Sequence, residues 1–445
     1  MEQGKAPIDL LCGWPNPALL PAPDLRHSAT TVLSDLSIAN PALLYGPDEG
    51  YEPLRIHIAS WLNTFYQPCE PISSQRICIT GGASQNLACV LQVFTDPIYT
   101  RNVWMVAPTY FLAARIMDDA GFAGRLRGVP EDDEGIDIDF LERELRAAEE
   151  KAIQAGNTEP KLKPPRPWRK IYKHVIYAVP TFANPSGMIM SLRRREALVR
   201  LARRYDALIV TDDVYDFLQW AVVPADVDFF KWAKKPEAHL SDRAYIPRLV
   251  DVDRYLDGGP ADEWGHAISN GSFSKLIGPG ARTGWAEASE KVAYGISQTG
   301  SSRSGGAPSH LCAAMIDQMF PTEILQKHIC DVLQPQYSLR YDRLLAAIKE
   351  YLLPLGVTVP APTAAAGGYF IWVTLPKPVR ASDVVQRAQA EEQLRLAAGD
   401  LFQIPGDPQA GAFSDHLRLC FAWEELRHLD EGVRRLARVL KRIIS

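Results

Sequence analysis

The sequence has no CxxC pair and no His/Cys cluster at zinc-ligand spacing. Its seven cysteines, Cys12, Cys69, Cys78, Cys89, Cys312, Cys330 and Cys420, are scattered and odd in number. Neither a disulfide framework nor a thiolate metal site is expected, and the pattern suits reduced thiols in a cytoplasmic protein. Long apolar runs are missing too. The stretches near Leu10 and Leu19 are far too short to cross a bilayer, and Met1–Lys5 carry no signal-peptide pattern, so no membrane partner is expected. Nor is there an excess of basic residues. Lys and Arg number 48 against 53 Asp and Glu, a net charge of −5, which argues against a nucleic-acid partner. What is present is 445 residues, 47% of them hydrophobic, enough for a sizeable core and more than one subdomain.

One stretch carries distinctive chemistry: Gly271-Ser272-Phe273-Ser274-Lys275-Leu276-Ile277-Gly278-Pro279-Gly280-Ala281-Arg282. Its glycines and proline argue for a tight loop around Lys275. A lysine held in such a loop with a lowered pKa attacks carbonyls and forms Schiff bases. Ser272, Ser274 and Arg282 offer neutral donors and a guanidinium fork, the chemistry that binds phosphate. A carbonyl and a phosphate on one small molecule describe pyridoxal phosphate. A solvated basic loop is the other reading of this stretch by itself.

Along the chain, residues 1 to about 40 read as an extended arm, and an amphipathic helix is expected at about 53–66. Short apolar strands are expected at 76–80, 102–106, 174–179 and 207–211, alternating with helices ending near 94 and 120 and spanning 139–154 and 192–205. Residues 157–169, rich in Pro and Lys, read as a mobile surface loop. Arg193, Arg194 and Arg195 read as the solvated face of a basic helix. Residues 221–265 show little periodicity and read as an insertion. Beyond 308 come a long helix at 322–352, a strand at 367–373, a helix at 381–397, strand character at 411–421 and a terminal helix at 424–443. The alternation from 76 to 285 implies βαβ units and a mainly parallel sheet. Ala83 and Ser84, Tyr110, Asn184, and Asp212 with Tyr215 each fall just after an expected strand, at the carboxyl ends where ligands of open α/β sheets sit.

That set meets the needs of one cofactor. Lys275 would bind its aldehyde. The Ala83 N–H, Ser84, Ser272, Ser274 and Arg282 would hold its phosphate. Asp212 would protonate its ring nitrogen, Tyr215 and Asn184 would donate to its phenolic oxygen, and Tyr110 would stack on the ring. Taken singly, Asp212 could be a helix cap, Tyr110 a core aromatic and Asn184 a turn residue. These segments, with Tyr45-Gly46, Leu54-Arg55, Asn184-Pro185-Ser186-Gly187 and Arg418-Leu419-Cys420-Phe421, resemble the fold type I, class I/II aminotransferases in order and spacing. The likeness is nearest to the aromatic amino acid/2-aminoadipate branch and to fungal members with the Gly13-Trp14-Pro15 arm.

The resemblance implies an α/β fold. A large domain (46–310), with a mainly parallel seven-stranded sheet between helices, would be joined by an arm (1–45) and a smaller α+β domain (311–445). It implies an amino group moved between an L-amino acid and a 2-oxo acid, with Lys275 also shuttling the α-proton. Arg418 would take the substrate α-carboxylate, the Gly13 segment would close over substrate, and Tyr45 would reach the phosphate of a neighbouring subunit's cofactor in a homodimer. Elimination, replacement, decarboxylation, or C–C bond and ring formation on the same fold is the alternative outcome. Asn16, Tyr110, Tyr369, Phe370 and Trp372 either line a pocket for large side chains or belong to the core. Arg303 is the one second arginine in a suggestive place for a distal acid.

Overall fold

Apolar runs buried on both faces build the centre of the molecule. The computed structural model describes residues 5–222, 242–303, 308–360, 364–407 and 411–445. Its strands begin with β1 (Ile8–Asp9), β2 (Ile77–Thr80), β3 (Val103–Ala107), β4 (Leu126–Asp132), β5 (Gly135–Ile136), β6 (His174–Ala178), β7 (Ala207–Asp212), β8 (Gln219–Ala221), β9 (Ala267–Ser272) and β10 (Gly284–Glu287). The main sheet runs β2-β10-β9-β7-β6-β3-β4-β5. The pairs β3/β4, β3/β6, β6/β7 and β7/β9 are parallel, and β10 is antiparallel to both of its neighbours. The sheet is thus seven strands with the two-residue β5 on its edge.

Alternation along β7 shows why both faces are closed. Leu208 and Val210 join one apolar cluster with Val90, Leu91 and Phe94 of the helix Ala83–Phe94. Ala207 and Ile209 join another with Leu141 and Leu145 of the helix Ile138–Gln154 and Leu198 of the helix Leu192–Arg204. Period-two side chains on a strand covered from both sides require this continuous apolar run.

The C-terminal part carries β11 (Ala365–Gly367), β12 (Phe370–Thr374), β13 (Leu394–Arg395), β14 (Ala397–Ala398) and β15 (His416–Cys420), with β12-β15-β14 as an antiparallel sheet. The helices Gln334–Tyr351 and Leu426–Ile444 share its apolar core. Two short ladders tie distant segments together: β11 to β8, and the N-terminal β1 to β13.

Several expectations are corrected. The arm is not extended throughout; Ala22–Ser34 and Leu36–Leu43 are helices. Pro23 stands in the first turn, where no amide donor is needed, and Asp35 caps the second helix by accepting from the Ser37 N–H. Arg195 is not solvated. It is fully buried, its guanidinium donating to the carbonyls of Met190, Pro180 and Pro247 and to Thr181 Oγ1. Arg194 is partly buried, while Arg193 stays exposed. The 157–169 loop is pinned, because Asp96 Oδ2 accepts from the amides of Lys161, Leu162 and Lys163. Within 221–265, Leu249–Tyr255 is a helix with buried Leu249, Val250 and Val252, and residues 223–241 lie outside the described residues. The helix expected to 397 ends at Glu392, and strand character near 411–421 narrows to β15.

Candidate active site

The carboxyl ends of β3, β6 and β7, the start of the helix Ala83–Phe94, and the loop after β9 converge on one cavity of about 620 Å³. Its walls include Ala83, Ser84, Tyr110, Asn184, Asp212, Tyr215, Ser272, Ser274, Lys275 and Arg282, together with Gly13 of the arm and Arg418 of β15. Of the residues expected to hold cofactor or substrate, the structure places Tyr45 outside this cavity. It is 88% exposed and borders a separate groove with Arg303 and His310. Arg303 is therefore not a wall of this cavity either.

Lys275 Nζ donates to the Gly13 carbonyl at 2.9 Å and lies 5.1 Å from the Tyr369 ring centre and 5.9 Å from that of Tyr215. Among the described residues no carboxylate forms an ion pair with it. Burial therefore pulls its pKa down to about 8, with the Arg418 charge acting in the same direction. Asp212 accepts from the Tyr177 hydroxyl at 3.1 Å and from Asn270 Nδ2 at 3.4 Å. Burial pushes its carboxyl up to about 7, against the Tyr177 hydrogen bond, which lowers it. Burial likewise raises Tyr110 to about 12.

The opposite end of the cavity is a cradle for an anion. Gly82, at φ +96°, delivers the chain into the helix Ala83–Phe94, whose first amides lack intrahelical partners. A Cβ on Gly82 would sit 2.6 Å from Arg282 Nη2, so only glycine lets the guanidinium lie there. Arg282 Nη2 donates to the Gly81 carbonyl at 2.9 Å. Ser272 Oγ accepts from the Ser274 N–H at 3.1 Å and donates to Ser274 Oγ at 2.9 Å, setting both hydroxyls beside it.

Arg418 is 4% exposed, its guanidinium 3.9 Å from the Phe370 ring centre. Nη1 donates to Asn184 Oδ1 and Nη2 to the Leu11 carbonyl, both at 2.7 Å, and Nε has no hydrogen-bond partner among the described residues. Gly13 packs so closely that a Cβ there would meet the Phe370 ring at 2.8 Å.

Among the polar wall residues that went unread in the sequence are Asn270, Tyr177 and Arg395. Asn270 precedes Ser272 by two on β9, so strand alternation could have found it. Tyr177 and Arg395 had no local signal. Phe370 is a wall. Tyr369 is fully buried behind the lysine, with its hydroxyl 3.1 Å from that of Tyr337. Trp372 belongs to the core, stacked on His416. Asn16 caps a turn by accepting from the Ala18 N–H and donating to the Trp423 carbonyl.

Comparison with known proteins decides what this arrangement is. The family model "Aminotransferase class I and II" matches residues 19–436. The chain belongs to the class I and II aminotransferases. It is 32% identical to the Saccharomyces cerevisiae protein YER152C, over 98% of this chain and 97% of that one. It is 28% identical to an aromatic-amino-acid aminotransferase of Thermococcus litoralis, over 98% and 88%. A Pyrococcus horikoshii kynurenine aminotransferase structure superposes with a TM-score of 0.77 at 26% identity, covering 100% of this chain and 93% of that one. The aminotransferase is therefore a fold type I enzyme dependent on pyridoxal phosphate. The residues fit that cofactor: an amine with a lowered pKa, an anion cradle built around Gly82, and a buried carboxyl with no ion-pair partner among the described residues.

Proposed function

We propose that this aminotransferase takes an aromatic L-amino acid as donor and passes the amino group to a 2-oxo acid. The observation that carries the reading is Arg418, a buried guanidinium that no carboxylate pairs among the described residues, in the same cavity as Lys275. A buried cation without a counter-ion is costly unless a ligand supplies one, and a planar fork suits an α-carboxylate. Leu87, Phe111, Leu112 and Ile116 give the cavity an apolar wall for a large side chain, and the named relatives agree.

Pyridoxal phosphate, when bound, supplies an aldehyde for attachment and a ring that accepts the electrons of a broken C–H bond. The protein's share is placement and proton traffic. Lys275 Nζ would hold the aldehyde and, as a free amine, would take and return the substrate's α-proton. Asp212 holds a proton at the ring nitrogen. Tyr215 and Asn184 would donate to the phenolic oxygen, Tyr110 would cover the ring, and Ala83, Ser84, Ser272, Ser274 and Arg282 would hold the phosphate. Gly13 and its neighbours shut water out over the substrate. Because the Thermococcus litoralis and Pyrococcus horikoshii relatives are aminotransferases, the elimination, replacement or ring-forming outcome is not favoured.

Exposed Leu36, Leu43, Leu44 and Tyr45 form an apolar surface that suits a second copy of the chain, with Tyr45 reaching the partner's cofactor phosphate. Residues 46–310 are read as the cofactor-holding body, and 311–445 with the arm as the smaller one. A cytoplasmic setting accords with seven free cysteines.

The test is incubation of holoenzyme with pooled amino acids and no oxo acid. Bleaching of the visible chromophore together with one matching aromatic 2-oxo acid is expected. A stable chromophore with no oxo acid would refute the reading.

A further inference from the structure

The mouth of the cavity holds a cation that none of these roles uses. Arg395 ends β13, and parallel pairing with β1 sets it beside Asp9. Both backbones are fixed: the Leu10 N–H donates to the Arg395 carbonyl and the Ile8 N–H to the Gln393 carbonyl, each at 3.0 Å. Leu394 and Ile8 are buried beneath, while the Arg395 side chain is 56% exposed. Asp9 and Arg395 line the same cavity as Lys275 and Arg418. Cys12, between them along the wall, lies within electrostatic reach of Asp9, Arg395 and Lys275 alike.

The ion pair is unequal. Arg395 Nη1 donates to Asp9 Oδ2 at 2.7 Å. Asp9 is held without it, because Oδ1 accepts from the amides of Leu11 at 2.9 Å and Cys12 at 2.8 Å. Among the described residues Arg395 has no other ion-pair partner. An exposed pair of this kind contributes little, so its exchange for another carboxylate costs little, and a guanidinium fork can take that carboxylate through two bonds.

We propose that Arg395 binds the distal carboxylate of a 2-oxo dicarboxylic acid acting as amino acceptor, with Asp9 as its resting counter-ion. The proposal rests on the aminotransferase reading, in which one site takes donor and acceptor in turn. With Arg418 on the carboxylate next to the oxo group, the acceptor's second acid reaches the rim and displaces Asp9. An aromatic donor lies along the apolar wall and leaves the Arg395–Asp9 pair closed. One cavity thereby serves two unlike side chains.

The experiment measures binding of two inert acids to holoenzyme by calorimetry: glutarate, which has two carboxylates, and phenylpropionate, which has one and a ring. Arg395→Gln should weaken glutarate about tenfold or more, the scale of a lost charge-assisted pair, and leave phenylpropionate within about twofold. Asp9→Asn keeps an oxygen for the Leu11 and Cys12 amides but removes the competing charge, so glutarate should tighten. No binding of glutarate by the wild type, no change in Arg395→Gln, or equal loss of both ligands would overturn the proposal. Neither acid turns over. A holoenzyme that makes no 2-oxo acid from any donor would thus sink the aminotransferase reading separately, while the glutarate result still decides the role of Arg395.

Discussion

Asp212 and Asp213 are neighbours at the end of β7, yet they belong to opposite kinds of environment. Asp212 opens into the cavity, where its partners are neutral: Tyr177 and Asn270. Asp213 turns the other way. Its Oδ2 accepts from Thr211 Oγ1 at 2.7 Å and Ser269 Oγ at 2.5 Å, with Arg248 and Arg195 close by. Behind it Arg248 and Arg76 are paired with carboxylates. Arg248 bonds Asp251 at 2.9 Å and Glu287 at 3.1 Å, Arg76 reaches Glu287 at 2.8 Å, and the Tyr66 hydroxyl donates to Asp216 at 2.9 Å. On the cavity side Lys275, Arg418 and Asp212 are ionisable groups without opposite partners at ion-pair distance among the described residues. A strand's two-residue period lets consecutive carboxylates serve a ligand site and a structural network. The difference teaches where to look: buried charge that the protein leaves unmatched is waiting for a ligand to match it.

The comparison predicts that damage on the two sides will differ in kind. Lys275→Ala should remove turnover altogether, together with the visible chromophore, while the melting temperature of the apoprotein holds. Asp212→Asn should cost about 100- to 1,000-fold in kcat, the usual loss when a preorganised charge is removed, with little change in unfolding free energy. Arg248→Met should do the reverse. Leaving Asp251 buried without its cation, and Glu287 with Arg76 alone, should cost about 3–5 kcal/mol of stability in denaturant melts, with kcat per folded molecule nearly intact. If Asp212→Asn unfolds the protein, or Arg248→Met inactivates it without destabilising it, the two sides are not separable as argued.

The cavity side was far more legible in the sequence than the network side. Asp212, Tyr110 and Asn184 each follow an apolar strand, so position along the chain already placed them at the carboxyl ends of a parallel sheet. Ser272, Ser274, Lys275 and Arg282 stand within one short stretch. Arg195 and Arg395 could not be read this way. Arg195 looks like its exposed neighbour Arg193, and only the carbonyls of Pro180, Met190 and Pro247, brought by other segments, make it a core residue. Arg395 takes its meaning from Asp9, 386 residues away. The arm misled for a local reason: its prolines suggested loop, although Pro23 sits where a helix tolerates it.

The unmatched amine gives a pH dependence. Burial lowers Lys275 from the usual lysine value to about 8, and only the neutral amine attacks an aldehyde. Below that pH the reactive fraction falls about tenfold per unit; above it the fraction is nearly complete. Uptake of pyridoxal phosphate by apoprotein, followed by stopped-flow absorbance, should therefore rise from pH 6 through a midpoint near 8 and level off by about pH 9. A midpoint near the ordinary lysine value would mean that the amine is not desolvated as its surroundings imply.

The smallest expected effect tests the neutral partners of Asp212. The Tyr177 hydroxyl lowers the Asp212 pKa, while burial raises it to about 7. In Tyr177→Phe the ring still fills its place in the sheet core, but the carboxylate loses a donor, so its pKa should climb further. Near neutral pH a smaller fraction of Asp212 would then be ionised and able to hold a protonated ring nitrogen. Cofactor affinity should fall about two- to tenfold, the range of a single hydrogen bond, and the deficit should shrink as pH rises and ionises Asp212 regardless. At saturating cofactor kcat should change little, because the bound ring nitrogen then supplies the charge that the empty cavity lacks. An affinity unchanged from pH 6 to 8 would mean that the hydroxyl does not tune the carboxylate. Asp212 would then differ from Asp213 only in the face it occupies, not in how the protein sets its charge.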